Sequence, residues 1–176
     1  MKRTITTLAA LLIFVFAGIA QEEATAGYNK IPSVDIKDLQ GNPFNTGSIN
    51  NEGRPIIISF WATWCKPCIK EMTTIADNYD DWVEETGVKL VAVSVDDARS
   101  SKNVEPLING KGWEYEVLLD QNGDFKRAMN VGLVPHTFLI DGDGNIVWQH
   151  TSFTEGSELD LINLVRKLNA GETIEE

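Results

Sequence analysis

The sequence contains few of the residues that build metal sites and disulfide scaffolds. Two of its 176 residues are cysteines, and its two histidines are His136 and His150. Two cysteines allow a single disulfide, which excludes a disulfide-dense scaffold, and they are too few for a Cys-rich zinc knuckle. The chemistry of the chain therefore depends on where these two cysteines stand.

Basic residues are scarce as well. The sequence has 15 Lys and Arg against 26 Asp and Glu, which gives a formal net charge of −11. Nucleic-acid binding needs a basic patch, so nucleic acid is excluded as a partner. Apolar residues still make up 43% of the chain and charged residues 23%, as in an ordinary globular protein. The length fits one domain.

No apolar segment reaches the length of a membrane-spanning helix. The longest, at residues 8–20, has thirteen residues, and the uncharged run that contains it begins at Ile5 and has sixteen residues. Both are short of the roughly 20 that cross a bilayer. The basic residues Lys2 and Arg3 precede it, and Ala20 offers a small-residue cleavage site. This pattern predicts a secretory signal peptide at residues 1–20, with an uncleaved anchor as the alternative. We expect an exported protein, soluble in the periplasm or cell envelope after cleavage.

The remaining chain alternates strand and helix patterns. Residues 21–30 predict a flexible lead, residues 31–170 a folded domain and residues 171–176 a C-terminal tail. Apolar and alternating runs predict strands at residues 34–39, 55–61, 88–95, 115–119, 137–140 and 146–148. Apolar residues spaced by three and four predict helices at residues 69–86, 98–105, 124–129 and 157–168.

The order of these elements indicates the fold class. The first predicted helix runs unbroken to Gly87, and the second ends at Pro106. Strands and helices alternate first, and a hairpin joins the last two strands. We therefore predict an α/β fold with a central mixed β-sheet flanked by helices.

The cysteines form the motif Cys65-Lys66-Pro67-Cys68, between a buried strand and an amphipathic helix. A helix N-terminus stabilises a thiolate and lowers its pKa. Cys65 is therefore the predicted exposed nucleophile, and Cys68, one turn into the helix, resolves the mixed disulfide that forms on Cys65. Lys66 adds a nearby positive charge, and Pro67 suits the first helical turn.

Two other interpretations of the motif are weaker. A structural disulfide across four residues stabilises by only about 2 kcal/mol, against about 3 kcal/mol for a fifteen-residue loop. A zinc site needs two further ligands, and the only histidines of the sequence are His136 and His150. A redox-active dithiol is the favoured interpretation.

These residues resemble the thioredoxin superfamily. Residues 60–68, which read FWATWCKPC, match its active-site segment, and Val134-Pro135 matches its cis-proline segment. In that family the proline loop packs beside the cysteines and binds extended peptide. The resemblance therefore implies a thioredoxin fold, with Val134, Pro135 and His136 as substrate-binding residues.

The chain is more narrowly similar to exported thiol-disulfide oxidoreductases of the TlpA/ResA/DsbE type. This resemblance covers residues 31–170. It implies an N-terminal strand or hairpin extension and an insertion after the second core strand, between Val95 and Tyr115. It also implies disulfide exchange with protein substrates, more often as a reductant, for example in cytochrome c maturation, with electrons supplied by a membrane protein. We expect a monomer with no cofactor besides the cysteine pair.

The chain departs from the superfamily pattern in two places. Ser59 stands where cytoplasmic thioredoxins have a buried aspartate, so Glu71 is the predicted proton acceptor for Cys68. Its alternative interpretation is a solvated carboxylate near a helix N-terminus. His136 stands where many relatives have a small hydroxyl residue. It either lies near the sulfurs or is a partly exposed strand residue. Trp64, like Lys66 and Pro67, is a motif residue that tunes the site or touches a partner.

Two further functions remain open. A thiol peroxidase of the same fold would need a Pro-x-x-x-Thr-x-x-Cys segment, but Thr63 stands only two residues before Cys65. A binding module would hold Cu(I) on the dithiol, because soft thiolates favour that ion. The favoured prediction is the oxidoreductase, in which Cys65, Cys68 and Glu71 are catalytic.

Overall fold

The computed structural model describes residues 30–174. The predicted signal peptide at residues 1–20 and all but the last residue of the lead at 21–30 lie outside the described residues. Within residues 30–174, no helix combines the length and the apolarity needed to cross a bilayer.

The described residues form seven strands and five α-helices. The strands are β1 (Asp35–Asp38), β2 (Pro43–Asn45), β3 (Ile56–Trp61), β4 (Lys89–Ser94), β5 (Glu116–Leu119), β6 (His136–Ile140) and β7 (Ile146–Thr151). The helices are α1 (Lys66–Ala76), α2 (Tyr79–Thr86), α3 (Val104–Lys111), α4 (Asp124–Ala128) and α5 (Ser157–Asn169). Short 3-10 turns lie at Thr46–Ser48 and Ser101–Asn103.

The strands of residues 30–174 build one sheet in the order β2-β1-β5-β4-β3-β6-β7. Strands β3, β4 and β5 are parallel, and the remaining pairs are antiparallel. The predicted mixed sheet is therefore confirmed. The β1–β2 hairpin is the N-terminal extension, and a 3-10 turn and α3 occupy the insertion between Val95 and Tyr115.

Strand β3 lies at the centre of the core, and each of its six residues is buried. Successive side chains of a strand point to opposite faces. Ile57 and Trp61 belong to the apolar cluster beneath α1, α2, α3 and α5, whereas Ile58 and Phe60 join the cluster that includes Phe125 of α4. Because apolar side chains pack against both faces of β3, the strand has a fixed position in the core. The turn that follows it is therefore fixed as well.

The structure contradicts the prediction of one helix from residue 69 to Gly87. The helix ends after Ala76, and a second begins at Tyr79. Asn78 causes the break: its side-chain amide donates to the Thr74 carbonyl at 2.8 Å, and its backbone N–H donates to Ile75 instead. An Asn side chain that competes for backbone carbonyls in this way is unfavourable inside a helix.

The prediction of a helix that ends at Pro106 is also wrong. Pro106 lies in the first turn of α3, which begins at Val104 and continues to Lys111. The first backbone N–H groups of a helix have no partner within the helix, so proline removes no hydrogen bond there. Gly112, in the left-handed conformation at φ 67°, ends the helix.

Candidate active site

The turn between β3 and α1 carries the cysteine pair. Cys65 is the N-cap residue of α1, and its Sγ accepts a hydrogen bond from the backbone N–H of Cys68 at 3.3 Å. The two cysteines form a disulfide, in which Cys65 is 6% exposed and Cys68 is fully buried. Lys66 and Pro67 are exposed in the first turn of the helix. Cys65 is thus the sulfur within reach of solvent, and it lies at the positive end of the α1 dipole.

The structure brings the proline loop beside the disulfide. The Val134–Pro135 peptide bond is cis, and the Val134 carbonyl oxygen lies 3.7 Å from Cys65 Sγ. Trp64 and Leu133 stand next in sequence to this contact and are 65% and 73% exposed. Exposed large apolar side chains beside a reactive sulfur offer a surface for a partner.

Glu71 lies on α1, three residues beyond Cys68, so the two residues share one face of the helix. It is 6% exposed, and its Oε1 accepts a hydrogen bond from Thr137 Oγ1 at 2.9 Å. Thr137 Oγ1 lies 3.1 Å from Ser59 Oγ. Burial raises the pKa of Glu71 to about 7, and the hydrogen bonds from Thr137 and Ser59 only partly oppose that rise. Glu71 is therefore not a solvated carboxylate, and it can gain or lose a proton near neutral pH.

His136 makes no hydrogen bond to Glu71, Thr137 or Ser59. Its ring is buried, stacks on Phe138 at 4.4 Å, and has Nε2 3.0 Å from Gln149 Oε1. Burial lowers the pKa of His136. Thr137, its neighbour, contacts Glu71, so His136 points to the opposite face of the sheet. The ring is therefore not the partly exposed strand residue of one interpretation. The other interpretation, which places it near the sulfurs, stays a prediction.

Asp96 supports the turn before Cys65 and was missed by the sequence reasoning. This buried carboxylate accepts hydrogen bonds from the Thr63 backbone N–H at 2.8 Å, the Thr63 hydroxyl at 2.6 Å and the Ser94 hydroxyl at 2.9 Å. The sequence feature that could have identified Asp96 is its position directly after a predicted buried strand. The parallel strands β3 and β4 end side by side, so Asp96 meets the turn after β3.

We expect Asp96→Asn to lower the free energy of unfolding by about 2 kcal/mol, since a buried hydrogen bond to a charged group contributes about 1.5–3 kcal/mol. An amide has one acceptor oxygen, and its NH2 group would face the Thr63 donors. Urea unfolding of the oxidised protein measures the loss. Asp97→Asn is the matched control, because Asp97 is exposed and bonds only to the loop that follows it. Equal effects of the two substitutions would contradict this role of Asp96.

Among residues 30–174, no group of three or more His, Cys, Asp and Glu side chains is arranged to hold a metal ion.

A disulfide at the N-terminus of the helix that follows the central strand, beside a cis-proline loop, defines a thioredoxin-like domain. The chain belongs to the AhpC/TSA family, whose sequence profile matches residues 28–149. The resemblance to the thioredoxin superfamily inferred from residues 60–68 and Val134-Pro135 is therefore confirmed.

Named relatives agree with this assignment. The chain is similar to the thiol-disulfide oxidoreductase ResA of Bacillus subtilis, with 31% identity over 153 residues, 86% of this chain and 81% of that protein. The ResA of Bacillus thuringiensis is 32% identical over 118 residues, 67% of this chain, and the match spans 65% of that relative's length. The solution structure of an uncharacterised thioredoxin-like protein from Porphyromonas gingivalis is 50% identical, with a TM-score of 0.73, over 85% of this chain and 97% of that one.

Proposed function

We propose that this chain is an exported thiol-disulfide oxidoreductase that reduces protein disulfides through Cys65 and Cys68. The observation that carries the proposal is the placement of Cys65 Sγ at the N-terminus of α1, 3.7 Å from the Val134 carbonyl oxygen. This placement favours the thiolate form of the sulfur that a partner reaches first. The name carried by the ResA relatives supports the same activity.

The reaction transfers two electrons from the dithiol to the substrate. The Cys65 thiolate attacks one sulfur of the substrate disulfide, and the other substrate sulfur leaves as a thiolate. Glu71 takes the proton of the Cys68 thiol. The Cys68 thiolate then attacks Cys65 Sγ, which forms the Cys65–Cys68 disulfide and releases the second substrate thiolate. Both substrate thiolates are protonated from solvent.

Export and an electron supply complete the proposal. Residues 1–20 direct the chain out of the cytosol. In the periplasm or cell envelope it acts as a monomer on protein disulfides, such as those reduced in cytochrome c maturation. Each turnover leaves the Cys65–Cys68 pair oxidised. A membrane protein that provides reducing equivalents must therefore reduce the disulfide again, because the compartment outside the cytosol is oxidising.

The peroxidase alternative is disfavoured by the surroundings of Cys65. Ala62 stands three residues before Cys65, where that chemistry needs a threonine hydroxyl. The hydroxyl of the neighbouring Thr63 donates to Asp96 at 2.6 Å. Neither residue therefore offers its side chain to a peroxide at the sulfur.

Covalent trapping tests the proposal. We expect Cys68→Ala, expressed in the native cell envelope, to accumulate mixed disulfides between Cys65 and substrate proteins, because the resolving thiol is gone. Diagonal gels and mass spectrometry identify the partners. The double variant Cys65→Ala/Cys68→Ala is the control. Adducts of equal yield on both variants, or none on Cys68→Ala, would overturn the proposal.

A further inference from the structure

A row of polar side chains crosses three strands beneath α1. Ser59 on β3 pairs with Thr137 on β6, and Thr137 pairs with His150 on β7. Residues directly opposite each other on neighbouring strands lie on the same face of a sheet. Because Thr137 Oγ1 contacts Glu71 at 2.9 Å, the row lies on the face that α1 covers. His150 is thus on the side of the sheet that holds Glu71.

Glu71 and His150 line the same small cavity, together with Trp148, Phe153 and Leu161. Glu71 Oε2 and His150 Nε2 are both buried and have no hydrogen-bond partner among residues 30–174. Buried polar atoms are normally paired with protein or with ordered water. The space open to a water-sized sphere is about 10 Å³, close to the minimum for one water molecule.

We propose that one water molecule joins Glu71 Oε2 to His150 Nε2 in this cavity, and that His150 passes the proton of Glu71 to and from solvent. This inference rests on the proposed function, in which Glu71 takes the proton of Cys68. The imidazole ring suits the task because one nitrogen can accept a proton while the other donates one. Glu71 is only 6% exposed, so a relay through His150 gives its proton a path to bulk water.

The relay moves one proton between Glu71 and solvent within a catalytic cycle. Glu71 gains one proton when the Cys68 thiol becomes a thiolate, and it returns one proton when the disulfide is reduced and Cys68 becomes a thiol again. Between these two steps the relay lets the Glu71 carboxyl exchange its proton with solvent in either direction. The proton moves from Glu71 Oε2 through the water to His150 Nε2, and a proton on the other ring nitrogen leaves to solvent. No electron moves in this step, and the Cys65–Cys68 pair carries the redox change.

Three other titratable side chains lie near the relay. Glu158 of α5 lines the same cavity, and its carboxylate accepts the Gly156 backbone N–H at 3.0 Å. His136 points to the other face, and burial lowers its pKa, which leaves it neutral near pH 7. Burial raises the pKa of Tyr115, so this neighbour of Glu71 is neutral as well.

Steady-state reduction of insulin, with dithiothreitol as electron donor, tests the relay in the full-length protein. We expect His150→Ala to slow turnover about tenfold near pH 7, a smaller loss than the hundredfold or more, roughly, that general acid–base groups contribute. Added imidazole should restore much of the rate of His150→Ala, because it fits the space that the missing ring leaves and supplies a base there. His150→Gln should slow turnover to a similar extent, since an amide keeps hydrogen-bonding groups but neither gains nor loses a proton near neutral pH. Ile146→Val, on the same strand, is the control for small losses of packing.

The outcomes separate the relay from the proposed function. Equal rates for His150→Gln and the Ile146→Val control would overturn the relay, as would a slowing that imidazole does not relieve. A wild-type protein that fails to reduce insulin would instead overturn the proposed function. If Glu71→Gln turns over more slowly than the wild type but both His150 variants turn over at the wild-type rate, the proposed function stands and His150 has no part in it.

Discussion

Replacing Cys65 by serine is expected to lower the rate of protein-disulfide reduction by at least about a thousandfold, to the level of the uncatalysed reaction. A hydroxyl at the N-terminus of α1 does not ionise near neutral pH, so no nucleophile remains at the one sulfur position that solvent reaches. Insulin reduction with dithiothreitol as donor measures the loss.

The partner cysteine provides the comparison for this result. Cys68→Ser keeps Cys65 and its helix dipole, so it should still form the first mixed disulfide but not release it. A Cys65→Ser protein that folds and retains the wild-type rate would assign the nucleophile to Cys68, which is fully buried in the disulfide. That outcome would contradict the placement of the reactive sulfur at the helix terminus.

The second large effect is on stability, through Glu71. Folding raises the pKa of its carboxyl from 4.5 to about 7, mainly because the group is buried. The folded protein therefore holds this proton more tightly than the unfolded chain does. The resulting stabilisation is fully present below pH 4.5 and is lost as pH rises through about 7. At about 1.4 kcal/mol for each pKa unit, the loss amounts to about 3 kcal/mol.

Glu71→Gln should remove this pH dependence, because an amide does not titrate. Relative to the wild type, the oxidised variant should gain about 3 kcal/mol in the free energy of unfolding between pH 4.5 and pH 8. Urea unfolding at the two pH values measures the difference. Glu84→Gln, an exposed substitution on α2, is the control and should change the free energy by less than about 0.5 kcal/mol at both pH values. Parallel pH profiles for Glu71→Gln and wild type would show that Glu71 ionises as a surface carboxylate does.

The central elements of the fold were predictable from local pattern. Residues 55–61 form a nearly continuous apolar run, interrupted at Ser59, which suits a strand buried on both faces, and β3 lies within that range. The position of Cys65 at the start of α1 follows from the same run and from Pro67. The helix break at Asn78 was not predictable from apolar spacing, because it depends on one side-chain amide that competes for a backbone carbonyl.

The supporting residues of the site depend on register between distant strands, which the sequence does not display. Thr137 reads as an ordinary strand residue, and its contact with Glu71 requires the pairing of β6 with β3. His136 and Thr137 point to opposite faces, but alternation alone does not say which face α1 covers. Asp96 and His150 were missed for the same reason: each meets the site across a neighbouring strand.

A single-turnover reaction of the reduced protein with a protein disulfide tests the central claim most directly. The fully reduced chain is mixed with oxidised insulin, and the substrate thiols are counted while the Cys65–Cys68 disulfide is followed by mass spectrometry. The proposed function predicts two substrate thiols for each chain that becomes oxidised, with the disulfide formed between the chain's two cysteines. Cysteines that stay reduced, with no substrate thiols released, would contradict it.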